Sequence, residues 1–89
     1  MNRILLVTTK GCAACLIMNR LLNQAIEESH KSIALEVKDI KKVDTMFLRD
    51  NKVTDFPTTF FIKDGVVKFR YTGTNPVTVI HRWIDIHFK

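Results

Sequence analysis

Apolar residues along this chain change their period several times, and each change predicts an element. Residues 3–8 carry the run Ile4-Leu5-Leu6-Val7, almost continuously apolar, as a strand buried on both faces requires; it is expected at the centre of a sheet. From Ala13 to Glu28 the spacing turns helical, with Leu16, Ile17, Leu21, Leu22, Ala25 and Ile26 on a broad apolar face and Asn19, Arg20, Asn23, Gln24 and Glu27 opposite. Ser29-His30-Lys31-Ser32 ends it. Ile33, Leu35 and Val37 then alternate with Ala34, Glu36 and Lys38, the period of a strand covered mainly on one side. A βαβ unit results, and its right-handed crossover makes the first two strands parallel.

The second half is read in the same way. Val43, Met46 and Phe47 give a modest helix within 41–51, and Lys52 to Phe56 connects it to the next strand. Thr58 to Ile62 and Val66 to Thr72 are strands joined through Lys63-Asp64-Gly65, where Asp-Gly supplies the positive φ angles of a type I′ hairpin turn. Val67, Phe69 and Tyr71 are expected on one face of the last strand, with Lys68 and Arg70 on the other. Asn75-Pro76 has the form of an N-cap followed by a first helical residue, and Val77, Ile80, Ile84 and Phe88 mark the apolar stripe of a final helix. The order βαβαββα describes an α/β fold, a four-stranded mixed sheet flanked by three helices.

Composition limits what this order can build. The 89 residues are 46% hydrophobic and 26% charged with three Gly and two Pro, so 1–89 is expected to be a single domain. A chain of this size should bury about 60–65% of its unfolded surface. The apolar stretch after Met1-Asn2-Arg3 is too short for a signal segment, and nothing approaches a membrane span, so a cytoplasmic protein is expected. The net charge is +5, but the basic residues are scattered without a run or stripe; this argues against nucleic acid and leaves a solvated surface or steering toward an acidic protein partner.

Candidate chemistry sits where the first strand gives way to the first helix. Cys12 and Cys15, the only cysteines, are separated by Ala13-Ala14. A helix N-terminus presents unpaired N–H groups and roughly half a positive charge, so a thiolate in its first turn is stabilised and its pKa is expected to fall. Three residues are about one helical turn, which puts both sulfurs on one face within reach of a short-loop disulfide. Two competing readings are a pair of small buried apolar residues and a zinc site completed by His30, His81 or His87; none of these histidines has a recognisable metal spacing. A lone CxxC pair in a cytoplasmic chain is more often redox-active than structural.

With CxxC after the first strand and Pro57 opening the third, the chain resembles the thioredoxin and glutaredoxin superfamily over essentially its whole length, as a small, glutaredoxin-sized thioredoxin-like protein. Val53-Thr54-Asp55-Phe56-Pro57-Thr58 and the following Thr59 to Gly65 look like the thioredoxin segment that carries a cis-proline and its hairpin, and Thr8-Thr9-Lys10-Gly11-Cys12 is similar to the glutaredoxin approach to its cysteine. The resemblance implies a dithiol–disulfide oxidoreductase with Cys12 as nucleophile and Cys15 as resolving thiol. It also implies a cis Phe56-Pro57 bond and a substrate groove formed by Gly11, Ala13, Ala14, Phe56, Pro57 and Gly73. Proline has a physical reason to be there: lacking an N–H, it leaves a strand end where another extended chain can pair. Lys10 is a candidate for supporting the thiolate. No bound cofactor is implied beyond the reversible Cys12–Cys15 disulfide. The partners implied are a disulfide-containing client protein and an external reductant, either thioredoxin reductase or glutathione, acting on a monomer.

The chain departs from these families at several positions. Gly11 replaces the aromatic residue usual in thioredoxins before the first cysteine, Ala-Ala stands between the pair, and Leu6 occupies the place of a buried acid. Gly73-Thr74-Asn75 lacks the second glycine and the acid of a glutathione site. A redox-incidental binding module and a glutathione-linked glutaredoxin are the alternative functions, and the missing glycine and acid count against the second. Trp83, Met18 and Met46 are expected to pack in the core, His81 and His87 to lie away from the site, and Phe56 is open between substrate contact and core.

Overall fold

In the computed structural model, which describes Met1 to Lys89, strand β1 spans Asn2–Thr8, helix α1 Ala13–Ser29 and strand β2 Ile33–Asp39. A 3₁₀ turn follows over Ile40–Lys42, then helix α2 over Thr45–Asp50, strand β3 over Thr58–Lys63, strand β4 over Val66–Thr72 and helix α3 over Val77–His87. The sheet order is β2-β1-β3-β4. β1 runs parallel to β2 and antiparallel to β3, and β3 is antiparallel to β4. The run Ile4–Val7 is buried throughout, as a strand with neighbours on both edges and helices on both faces must be.

Alternation along β1 and β3 divides the core between the two faces of the sheet. Ile4, Leu6 and Phe61 pack with Met18, Leu22 and Ala25 of α1, Ile80 and Ile84 of α3, and Phe88 just after α3. Leu5, Val7, Phe60 and Ile62 point the other way, toward Ile40, Val43, Phe47, Leu48, Val53 and Phe56. Phe61 anchors the larger layer, its ring 5.4 Å from Phe88, 5.7 Å from Phe69 and 6.3 Å from Trp83. Trp83 thus packs on the sheet, and Met18 is fully buried.

Local signals account for the element ends. Asp39 and Asp44 accept from the backbone N–H groups of Lys41 and Met46, so the segment expected as one helix is divided into a 3₁₀ turn and a short α2, each capped by its own aspartate. Asp64 and Gly65 both have positive φ (52° and 81°) at the hairpin turn. The Asp64 carboxylate pairs with the Met1 ammonium, whose hydrogen bond and charge lower its pKa.

Four expectations are corrected. The buried face of α1 is Cys15, Met18, Leu22 and Ala25, while Leu16 and Ile17 are exposed, because an apolar residue directly after Cys15 falls about 100° around the helix from the buried line. Met46 is 59% exposed, since α2 is too short to turn both Met46 and Phe47 to the sheet. β4 carries a bulge: Phe61 pairs with Phe69 but Ile62 with Val67, which leaves Lys68 as the extra residue and puts Val67 on the α2 face while Phe69 lies on the α3 face. Finally, Pro76 rather than Asn75 caps α3, and its carbonyl accepts from Val79 and Ile80 without any side-chain cap.

Candidate active site

The connection from β1 to α1 is Thr9-Lys10-Gly11-Cys12, and Gly11 takes φ +75°, a left-handed conformation that glycine adopts without penalty. Cys12 is the N-cap of α1, with extended backbone angles (φ −98°, ψ 99°). The Cys15 N–H donates to Cys12 Sγ at 3.1 Å, so a sulfur takes the place a serine or aspartate oxygen usually fills. No acidic side chain lies in the first turn of α1 to oppose negative charge on that sulfur. The two cysteines form a disulfide with their Cα atoms 5.3 Å apart. They differ in depth: Cys12 is half-buried at the surface, and Cys15 is 4% exposed.

Strand register brings the proline and glycine to the same end of the sheet. β1 pairs with β3 up to Val7 opposite Thr58, and Thr58 in turn faces Thr72 of β4. The next residues out are therefore Thr8, Pro57 and Gly73, and the Gly73 N–H donates to the Pro57 carbonyl at 2.8 Å. The Phe56-Pro57 bond is cis, and the Thr58 hydroxyl donates to the Asp55 carbonyl at 2.6 Å, which ties down the approach to Pro57. Phe56 is half-buried against the α2-side core, and Lys10 is exposed on the loop before Cys12.

A cleft of about 430 Å³ adjoins the disulfide on its β2 side; Thr8, Thr9, Gly11, Cys12, Ala13, Cys15, Leu16, Asn19 and Val37 line it. Pro57, Phe56 and Gly73 do not. Leu16 is 71% exposed and Val37 45%, so the disulfide is bordered by apolar surface. Leu16 lies on the broad apolar face expected of α1, and the helical phase of Cys15, Met18 and Leu22 is the signal that separates it from the buried line. Leu6 is fully buried, and opposite it on β3 lies Thr59, also fully buried, whose hydroxyl has no hydrogen-bond partner. A hydroxyl in that condition costs about 1–3 kcal/mol, so such groups are uncommon and need a reason. The three histidines are not gathered at the cysteines: His30 closes α1 in a left-handed conformation, His81 pairs with Asp85, and His87 stacks on Phe69.

No protein-family model and no curated protein sequence matches this chain. Solved structures do. Thioredoxin-2, described as a component of the malaria parasite protein secretion machinery, superposes with TM-score 0.82 at 21% identity, over 98% of this chain and 84% of that one. Chloroplastic thioredoxin z gives 0.78 at 20% identity over 99% and 79%, and mitochondrial thioredoxin 3 from Saccharomyces cerevisiae, in its oxidised form, gives 0.76 at 20% over 96% and 77%. The fold is the thioredoxin fold.

Proposed function

On this thioredoxin fold, we propose that the chain is a dithiol–disulfide oxidoreductase that reduces disulfides in client proteins, with Cys12 as nucleophile and Cys15 as resolving thiol. The observation that carries the reading is the pairing of a half-buried N-cap sulfur, held by a backbone N–H at 3.1 Å, with a second sulfur one turn deeper in the same disulfide. The orphan N–H groups and the dipole of α1 favour negative charge at Cys12, so in the dithiol form it is the better nucleophile.

In the dithiol form the Cys12 thiolate attacks one sulfur of the client disulfide; a mixed disulfide forms and the other client sulfur leaves as thiolate. Cys15 then gives its proton to water, which returns one to the departed client thiolate, and attacks the Cys12 sulfur, closing the Cys12–Cys15 disulfide and expelling the second client sulfur as thiolate. The client gains two electrons and the CxxC pair loses two. An external dithiol or glutathione returns them; thioredoxin reductase and glutathione are the two candidate sources. The client backbone lies along Phe56, Pro57 and Gly73 at the open sheet end, and Gly11, Ala13 and Ala14 leave room beside the sulfurs. Lys10 adds positive charge to the approach. The lone CxxC pair supports a reducing, cytoplasmic setting, and the chain is read as a monomer that meets its client and its reductase in turn.

Reduction of insulin by dithiothreitol tests this. The wild-type protein should accelerate it, Cys12→Ser should abolish the acceleration, and Cys15→Ser should hold its client as a stable mixed disulfide. Equal rates for wild type and Cys12→Ser would refute the reading. Turnover with thioredoxin reductase and NADPH against turnover with glutathione identifies the reductant.

A further inference from the structure

The mechanism above leaves Thr59 unused. Its side chain projects to the same face as Leu6, its cross-strand partner, and as Phe61 two residues along β3, which is the face covered by α1 and α3. It lies one pair inside the last β1–β3 pair, Val7 and Thr58, and so near the sheet end from which the chain leaves for Cys12. Cys15 is the first buried residue of α1, one turn before Met18 and on the same helical line as Met18, Leu22 and Ala25, and those three pack on this face.

The buried apolar residues on this side of the sheet include Ile4 and Leu6 from β1, Ile80 and Ile84 from α3, and Met18 and Leu22 from α1, with buried Cys15 in the first turn of α1. Tyr71, paired with Thr59 across β4, directs its own hydroxyl to the Thr74 carbonyl. Among the buried side chains on this side the heteroatoms are those of Thr59, Cys15 and Met18, while Trp83 and His87 pack on the Phe61–Phe69 part of the layer and are only half-buried. In the disulfide form the Thr59 hydroxyl is unpartnered, although Met18 is already present and fully buried.

Reduction changes one of these groups. A disulfide sulfur has no proton to donate and accepts weakly, whereas a thiol donates and a thiolate accepts strongly. The two sulfurs must also move from bonding distance to non-bonded contact. The Cys12 sulfur has the Cys15 N–H as its donor, whereas the Cys15 side chain is buried. We propose that the Thr59 hydroxyl is the hydrogen-bond partner of the Cys15 sulfur in the reduced protein, a positioning group that favours the dithiol over the disulfide. This rests on the reading of Cys12–Cys15 as a reversible redox pair.

Equilibration of the purified protein with glutathione measures the effect directly. Two glutathione molecules supply two electrons and two protons, the Cys12–Cys15 bond breaks, and one molecule of glutathione disulfide forms. Thr59→Val removes the hydroxyl at nearly constant shape, so the oxidised variant is expected to be no less stable than wild type. It should need about tenfold more reducing conditions for half-reduction, a potential roughly 30 mV more negative. Thr59→Ser should stay within twofold of wild type, and Met18→Leu should too. A Thr59→Val or Thr59→Ala equilibrium within twofold of wild type overturns the inference, as does a Met18→Leu shift as large as that of Thr59→Val. Insulin turnover is a separate measurement: a wild-type protein inactive toward insulin that still shows the Thr59 shift refutes the reductase reading and leaves this inference standing.

Discussion

Leu16 offers a direct test of whether the apolar border of the disulfide is used. Fully burying a leucine side chain contributes about 1.5–3 kcal/mol, at roughly 0.8 kcal/mol per methylene. With 71% of Leu16 still exposed, most of that remains to be gained when a client polypeptide covers it. Leu16→Ala keeps Cβ and the helix, so a client transition state should lose about 1–1.5 kcal/mol, or roughly five- to twelvefold in kcat/KM. Stability should hardly change, because alanine suits an exposed helical position and exposed substitutions usually stay within about 0.5 kcal/mol. The assay compares two substrates, insulin and hydroxyethyl disulfide. A small disulfide reaches Cys12 without covering Leu16, so its rate should be unchanged while insulin reduction falls. An unchanged insulin rate would refute the docking role, and an equal fall with both substrates would move the effect to the sulfur chemistry.

Other predictions concern the frame that holds the site. Phe61→Ala empties the centre of the α1–α3 layer and should cost about 3–5 kcal/mol in urea unfolding, with each kcal/mol lowering Tm by about 4–8 °C; a loss no larger than that of Leu16→Ala would contradict the packing described. Gly73 has φ +86° with no heavy atom within 4 Å of where a Cβ would stand, so Gly73→Ala carries a purely conformational penalty of about 1–2 kcal/mol, which an unchanged urea midpoint would exclude. The lowered pKa of Asp64 means that its pairing with the Met1 ammonium stabilises the fold above the ordinary carboxylate value of 3.8 and is lost as pH falls through the lower folded value. Asp64→Asn, which suits the positive φ of the turn, should therefore lower Tm more at pH 6 than at pH 2; the same difference at both would remove the ion pair as the cause.

The two faces of the sheet do different work for the cysteine pair. The α1–α3 layer fixes the depth of Cys15 through the line it shares with Met18 and Leu22, whereas the α2-side layer packs Phe56 and so supports the segment leading to Pro57. Between them, hydrogen bonds from Gly73 to Pro57 and from Thr58 to Asp55 hold the sheet end from which β1 leads to Cys12. A change in either layer should therefore reach the site through position rather than through charge.

Much of this was legible in the residues themselves. The continuous run Ile4–Val7 marked a central strand, Asp64-Gly65 a hairpin, and the spacing at the strand–helix junction a pair of cysteines within bonding reach, because each is written in a few neighbouring residues. The bulge at Lys68 and the exposure of Leu16 and Met46 were decided by packing. Periodicity alone allows a broad helical face or an unbroken alternation; which of those residues reach the sheet depends on where distant elements sit. Thr59 marks the boundary most sharply, since a threonine in a strand carries no sign that its hydroxyl is sealed beneath a helix, and that burial exists only once β1, β3, β4, α1 and α3 close around it.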